Sequence, residues 1–414
     1  MPTEPNFSAA DLRLQLADAL QTKGTIKSAA VYAAFRDVPR HVFVPHADLE
    51  TAYADGVIPV KYDENKQAIS SSSQPTMMAI MLEQLDLQPG MRVLEIGAGT
   101  GYNAALMGHI VGDAGLVTTL DIDADLIEGA QQHLHAAGMT NVYPIQRDGA
   151  LGAGEYAPYD RIILTVAAWD VTPAWLAQLK PHGRIVMPLI LATGTQVSAA
   201  FDRHGAGLRS DGVSGCRFMT LRGLAAAPHQ PIYVDLASGL SIQHPSTLTV
   251  DPQQVTHYLK TPPQVISSGV ELTHSEINPF LLWASVRGMA GVTLITRGDL
   301  IGKDVIPVLY GKGDQYQATS GIMHPDGMAL WGWRASAEPN QPHVYELVAH
   351  AYGDDGPAAA RELLACLHAW DAAGRPGTRA MHIQVLPKHI LLPDTTHQLV
   401  LEKPSVNLIV RFAE

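Results

Sequence analysis

Cysteine is nearly absent from the 414-residue chain: only Cys216 and Cys366 occur, and they lie far apart. Two such thiols supply neither a disulfide framework nor a cysteine-based zinc site, so a reduced, cytoplasmic setting is the expectation. Basic clusters are missing too. Lys and Arg number 28 against 40 Asp and Glu, a formal charge of −12, and no run of Lys and Arg interrupts it. Phosphate backbones would be repelled, which argues against nucleic acid as a partner. Glu4, Asp11 and Arg13 come before any apolar stretch, against a secretory signal. No membrane span is expected. The uncharged run 185–201 carries Pro188, Thr193, Gly194, Thr195, Gln196 and Ser198, the make-up of two strands joined by a turn. Several chemical motifs are also lacking. Gly302-Lys303 is followed by Asp304, so no phosphate-binding P-loop forms, and no Pro-Cys pair offers a cytosine-attacking thiol. No H-E-x-x-H occurs among the 18 histidines, and His133 and His135 are two apart and share no helix face. No metal site is expected, and the histidines read as solvated or core residues.

What is present is enough for two or three domains with sizeable cores: 46% of residues are apolar and 16% charged. Ser8 and Asp11 form a capping-box pattern ahead of Leu12, Leu16 and Leu20, and Val31, Phe35 and Val38 mark a second helix ending at Pro39. From Leu49 to Ser73 periodicity is lost, which reads as a loop or edge region. From Pro75 onward, helices and short apolar strands alternate. A helix carries Met77, Met78, Met81, Leu82 and Leu85. Strands follow at 92–96, 116–121, 142–146, 161–166 and 184–188, with helices at about 102–111, 123–137 and 172–179. Such alternation predicts parallel βαβ units in a three-layer α/β sandwich. The aperiodic segment 224–231 (LAAAPHQP) places a domain boundary, giving a first domain over 1–225 and a second over 228–414. Alternating runs at 231–236, 305–310, 381–386 and 406–412, with helices at about 276–287 and 357–373 stopped by Gly374, predict an α+β fold for the second domain. Asn278-Pro279-Phe280 reads as a helix N-terminus.

Glu95-Ile96-Gly97-Ala98-Gly99-Thr100-Gly101 lies between a strand and a helix. Tyr102 spoils the dinucleotide fingerprint G-x-G-x-x-G. The acidic-x-Gly-x-Gly-x-Gly spacing instead resembles the loop of S-adenosylmethionine-dependent methyltransferases, against a bland reading as a structural turn. Glu95 would face the cationic aminoacyl end of the cofactor. Asp121 at the next strand end would take the ribose hydroxyls, and Asp148-Gly149 at the third would meet the adenine. Ligands of open α/β sheets bind at such strand ends. Asp123 and Asp125 read as solvated helix-start charges.

Val38-Pro39-Arg40-His41-Val42-Phe43-Val44-Pro45, Ala52-Tyr53-Ala54-Asp55 and Ser73-Gln74-Pro75 together resemble the protein-L-isoaspartate O-methyltransferase family. So do Asp148-Gly149-Ala150-Leu151-Gly152 and Ala157-Pro158-Tyr159-Asp160-Arg161-Ile162, the likeness running from about residue 31 to about 221. The resemblance implies a Rossmann-like fold, S-adenosylmethionine as cofactor with S-adenosylhomocysteine as product, and a peptide or protein acceptor bearing Asp or L-isoAsp. It implies a substrate-side segment over 1–75 and makes Ser73 the hydroxyl that orients the acceptor carboxylate. Ser72, Gly97, Gly99, Gly101 and Ile122 join the cofactor side, and Gln74 and Ile58-Pro59-Val60 the substrate side. Ser70 and Ser71 read equally as a flexible loop, and Ile58-Pro59-Val60 equally as a plain edge strand. Arg147 and Ala153 depart from the family pattern, the first near the adenine edge, the second in packing alone.

A carboxylate acceptor is ionised near neutrality, so methyl transfer needs alignment and water exclusion rather than a base. The ester then invites closure to a succinimide. The size of the second domain leans the reading toward dedicated tailoring of a ribosomally made, cross-linked peptide, with the domain recognising it. Repair of isoaspartyl damage in proteins and a non-catalytic peptide-binding module stay open, as does an oligomerising role for the second domain. The sequence assigns no oligomeric state.

Overall fold

The computed structural model describes residues 7–64, 68–192, 195–228, 232–235, 239–244, 248–289, 291–313, 315–335, 344–392 and 399–413. Helix Ala9–Thr22 begins as expected: the Asp11 amide donates to Ser8 Oγ while the Asp11 carboxylate takes the Ser8 amide. Helix Ala29–Asp37 and the short turn Arg40–Phe43 follow. The stretch 49–73 is more ordered than a loop. It forms helix Leu49–Tyr53 and then two antiparallel strands, Ile58–Tyr62 and Ala68–Ser72, that make a sheet of their own. Its partners across the ladder explain why no pattern was visible: Ile58, Pro59 and Lys61 face Ser72, Ser71 and Ser70, so neither strand has an apolar stripe.

The parallel sheet follows the sequence closely. Strands Val142–Gln146, Leu116–Asp121, Arg92–Ile96, Tyr159–Leu164 and Leu179–Ala192 lie side by side in that order. Chain order reverses beside Arg92–Ile96, which opens a crevice at the carboxyl ends there. Alternate side chains feed two cores. Val93, Val117 and Ile163 pack with Leu16, Phe35, Leu82 and Met107 from the helices of one face. Leu94, Leu120 and Ile162 pack on the other with Trp175 of helix Pro173–Gln178.

Beyond Leu179–Ala192 the sheet turns antiparallel through Thr195–His204 and Gly207–Gly215; the turn at 193–194 lies outside the described residues. It does not stop there. Met381–Pro387 pairs with Gly207–Gly215, and Val406–Phe412 and Leu399–Glu402 add two more strands. The strands Met381–Pro387, Leu399–Glu402 and Val406–Phe412 therefore belong to the first sheet, and a cut at 228 does not separate the chain's two sheets. The boundary segment itself is described only as far as residue 228. Lys403 fixes the return: its buried ammonium donates to Ile190 O at 2.9 Å and Leu191 O at 3.1 Å and faces the Trp169 ring.

Between them, an antiparallel eight-stranded sheet spans from Ile232–Asp235 to Val344–Gly353, backed by helices His274–Val286 and Gly356–Ala372. This is the expected α+β layer. Two details differ from expectation. Residues 305–309 form no strand, Pro307 lacking a donor for the ladder, and only Tyr310–Lys312 pairs. Asn278-Pro279-Phe280 lies inside its helix, which starts at His274 behind a Thr273/Glu276 capping box. Leu282 and Val286 of that helix pack into the same core as Met187, Ile383, Val385 and Leu408, so the second layer rests on the first. Among the described residues no helix is long and apolar enough to cross a membrane, and no group of three or more His, Cys, Asp or Glu could hold a metal ion.

A chain ending at residue 227 loses three strands from the first sheet, leaving Gly207–Gly215 as a bare edge beside uncovered Ile185 and Met187. Such a truncation should aggregate or melt well below the full chain, as scanning calorimetry and size-exclusion chromatography would show.

Candidate active site

A cavity of about 400 Å³ opens at the carboxyl ends of the parallel strands, within the range typical of small-molecule sites. One wall is the glycine loop 96–100. A second is the serine strand and its continuation, Ser70 to Gln74. Asp121, Ile122 and Gly149 come from the neighbouring strand ends, and segment 215–222 closes the far side. The two principal walls nearly touch: a Cβ at Gly99 would lie 3.6 Å from both Ser70 Oγ and Ser71 O.

The loop is held open by its own backbone. Gly97, Gly99 and Gly101 all have positive φ, and a Cβ at Gly97 would meet Thr165 Oγ1 at 2.5 Å, so glycine is required there. The Gly97 and Ala98 amides donate to Leu120 O, and the Gly99 amide donates to the Asp121 carboxylate at 3.0 Å. Burial raises the Asp121 carboxyl above its usual range, against the pull of that amide.

Of the predicted cofactor residues, Ser72, Gly97, Gly99, Asp121, Ile122 and Gly149 line this cavity; Gly101 caps the helix Tyr102–Val111 just behind it. Glu95 and Asp148 do not line it. Glu95 is fully buried with one oxygen accepting from Asn103 Nδ2 at 2.7 Å and the other from Thr119 Oγ1 at 2.6 Å, so it braces the loop from behind. Asp148 accepts from the amides of Ala150 and Leu224, fastening the turn at Gly223. Of the substrate-side residues, Ser73 and Gln74 line the cavity, whereas Ile58, Pro59 and Val60 do not; Val57 just before them does, and among the described residues their strand has one unpaired edge. Arg147 turns away to Glu155, and Ala153 is packed in the core with its amide bonded to Gln178.

Several residues that shape the site were not singled out from the sequence. Arg40 is wholly buried. Its guanidinium donates to Ala54 O, Gly56 O and Ser73 O at 3.0–3.1 Å, reaches Ser72 Oγ, and lies over the Tyr102 ring. It sits within the 38–45 motif, which was the available signal. Asp55, from the neighbouring motif, caps the helix Pro75–Leu85 through both the amide and hydroxyl of Thr76. His133 meets Thr100 O at 3.0 Å rather than standing in solvent. Asp123 and Asp125 are also engaged. Lys61 bridges both, at 3.0 and 2.6 Å, and Arg222 joins Asp123 at 2.7 Å. These pairs hold the Asp123 carboxyl below its usual range, Arg222 most strongly, and latch the hairpin to the sheet rim.

Glycines with positive φ at a strand-to-helix turn, a carboxylate lining the cavity at the end of the next strand, and no phosphate-binding loop together fit an S-adenosylmethionine-dependent methyltransferase. The site fits that cofactor: the glycine loop and the Asp121 carboxylate, steadied by the Gly99 and Asp123 amides, line one cavity. Comparison with known proteins specifies the class further. The sequence profile described as protein-L-isoaspartate(D-aspartate) O-methyltransferase matches residues 12–226. The chain belongs to that family. It is 39% identical over 211 residues to protein-L-isoaspartate O-methyltransferase 2 of Archaeoglobus fulgidus, covering 51% of this chain and 93% of that one. It is 37% identical over 214 residues to the protein-L-isoaspartate O-methyltransferase of Methanothermobacter thermautotrophicus, covering 51% and 96%. A solved structure titled protein-L-isoaspartate O-methyltransferase superposes with a TM-score of 0.50 at 25% identity, covering 90% of this chain and 96% of that one. The added domain therefore has a counterpart within the family. S-adenosylmethionine is the cofactor, and the chain is a methyltransferase.

Two substitutions probe the braces. Burial pushes the Glu95 carboxyl up to about 7 from an ordinary value of 4.5, despite its two hydrogen bonds. The folded chain thus holds this proton more tightly than the unfolded one. The resulting stability is complete below 4.5 and is lost as pH rises to about 7, a change on the order of 3 kcal/mol. Glu95→Gln should flatten that slope in urea unfolding measured on either side of the window. Arg40→Lys keeps the charge but cannot span three carbonyls. It should cost about 2–4 kcal/mol in denaturant unfolding, because buried acceptors lose their donors.

Proposed function

We propose that this protein esterifies the free α-carboxylate of L-isoaspartyl residues in polypeptides, as a repair activity. The observation that carries the reading is the meeting of the serine strand with the glycine loop across one cavity. Ser70 and Ser71 meet the glycine loop, and Ser73, two residues on, lines the same cavity, which supports its reading as the acceptor hydroxyl. When bound, the cofactor supplies a methyl group on a sulfonium centre. The chain's residues then have three tasks.

Asp121 holds the ribose hydroxyls, with Gly97, Gly99 and Gly149 letting the backbone approach the ligand. Ser73, carried by a strand that Arg40 clamps through its carbonyl, donates to one acceptor oxygen and leaves the other free to attack. Gln74 and the open edge of Ile58–Tyr62 take the acceptor backbone. The Lys61–Asp123–Arg222 latch keeps the hairpin over the reacting atoms and excludes water, so aligned collapse of opposite charges needs no general base. The ester so formed is a better electrophile than the carboxylate. The adjacent backbone nitrogen can displace methanol to give a succinimide, which water reopens.

Dedicated tailoring of a single peptide rested on the added domain alone. A counterpart of that domain in a solved family member removes its weight as evidence for tailoring. A fresh isoaspartyl peptide and its ordinary Asp twin, assayed with radiolabelled cofactor, test the choice. Methyl incorporation into the isoaspartyl peptide alone is expected; transfer confined to ordinary Asp would overturn the reading. Ser73→Ala should lower kcat by about 10–100-fold while calorimetric affinity for S-adenosylhomocysteine stays within about twofold.

A further inference from the structure

A second cavity, of about 560 Å³, lies between the two sheets and shares Gly215, Cys216 and Arg217 with the first. Its remaining walls come largely from the added layer: Asn278 and Leu281 of the helix His274–Val286, and Thr293, Tyr310, Tyr316 and Ser320 of the second sheet. The lining is unusual in a chain of net charge −12: among the described residues its one formal charge is the Arg217 cation, with no Asp or Glu beside it. The partners of that guanidinium among the described residues are aromatic. It lies 5.8 Å from the Tyr310 ring centroid and 5.6 Å from that of Tyr316, and donates to Tyr316 Oη at 3.4 Å. The same cavity holds a cluster of hydroxyls. Ser320 Oγ is 3.2 Å from Thr293 Oγ1 and 3.3 Å from Tyr310 Oη, and both Ser320 and Thr293 are buried.

We infer that this cavity seats a flank of the acceptor polypeptide and that Arg217 selects acceptors with a carboxylate side chain near the reacting residue. The inference rests on the reading of the chain as a polypeptide methyltransferase and adds a determinant of its specificity. Three features support it. The two cavities adjoin across Gly215, Cys216 and Arg217, so a chain whose isoaspartyl residue occupies the first cavity has the second beside it to take its flank. A guanidinium held against two tyrosine rings is positioned to receive a planar carboxylate, with hydroxyls to complete its shell. Neither sheet builds the cavity alone, which gives the added layer a role in recognition rather than in the transfer step.

The experiment uses the full chain and peptides of one sequence with a central isoaspartyl residue. Glu, Gln or Lys is placed in turn at each of three positions on either side, and kcat and KM are measured for each peptide. The expected result is one register in which Glu exceeds Gln by about 5–10-fold in kcat/KM, carried by KM, with Lys lower still and the preference shrinking at high salt. Arg217→Gln should abolish the preference. Asn278→Glu, which sets a carboxylate in the same cavity from an exposed helix position, should abolish or reverse it. Melting temperature and S-adenosylhomocysteine affinity check that both variants fold. A minimal isoaspartyl peptide without charged flanks reads methyl transfer by itself, so failure of the functional reading is seen separately. The best Glu-flanked sequence carrying Asn in place of the isoaspartyl residue is also titrated calorimetrically onto the S-adenosylhomocysteine-loaded protein, so the flank site is tested even without turnover. Equal kcat/KM for Glu and Gln at every position together with equal binding, or a preference that survives Arg217→Gln, overturns the inference.

Discussion

The site depends on one buried cation. Residues 54–64 and 68–73 contribute no strand to the large sheet, and in their own two-stranded ladder three of the four facing pairs include a serine. Ile58 packs into the main core, but something polar must hold the serine strand opposite it. Arg40 does so, with one planar fork gathering carbonyls from Ala54, Gly56 and Ser73 onto the face of Tyr102. Burial lowers its pKa, yet a guanidinium stays protonated, so its charge is dependable where a lysine's would not be. No carboxylate neutralises it in a direct ion pair among the described residues. The carbonyl dipoles carry that task, which ties the bend at 54–56 and the end of the serine strand to a single side chain.

The outer fastening works by a different principle. Lys61, Asp123, Asp125 and Arg222 are partly open to water and pair across three segments, so each contact is weak and exchangeable. Inside the hairpin lies a fixed clamp; outside lies a latch that can release. A transferase that must admit a polypeptide chain and then exclude water needs that asymmetry. The acceptor can displace a surface ion pair at low cost, whereas displacing Arg40 would strand three buried carbonyls.

Much of the parallel sheet was legible, because each strand buried on both faces reads as a short apolar run and each glycine or aspartate at its end marks the turn. The strands Arg92–Ile96, Leu116–Asp121 and Val142–Gln146 carry their own boundaries. What could not be read was pairing across long sequence separation. Val406–Phe412 alternates like any strand, and nothing local says that its sheet is the one begun at Arg92. The same limit explains the site residues. Asp121 was identified from its position at a strand tip, but whether Glu95 and Asp148 point into the cavity or behind it depends on Asn103, Thr119 and Leu224, whose positions relative to them only the fold sets. Arg40 sat inside a recognised motif yet had no readable task, since its partners are backbone oxygens and carry no sequence signature.

The returning C-terminal strands change how the added layer should be understood. An appended domain on a linker would be free to tumble and could contribute only by tethering a partner nearby. Here the chain leaves the first sheet, builds the second, and comes back to complete the first, with Lys403 fixed on Ile190 and Leu191. Both ends of the insertion are thus anchored in the same sheet. Helix His274–Val286 is further pressed into that sheet's core through Leu282 and Val286. Double anchoring gives the segment 215–222 a fixed neighbour: Gly215 to Arg217 run from the last inner strand directly between the two cavities. The added layer is therefore positioned with the precision of a core element beside the first cavity. That rigidity is costly to build if the layer serves only solubility or assembly, and it is what discrimination between acceptor sequences requires.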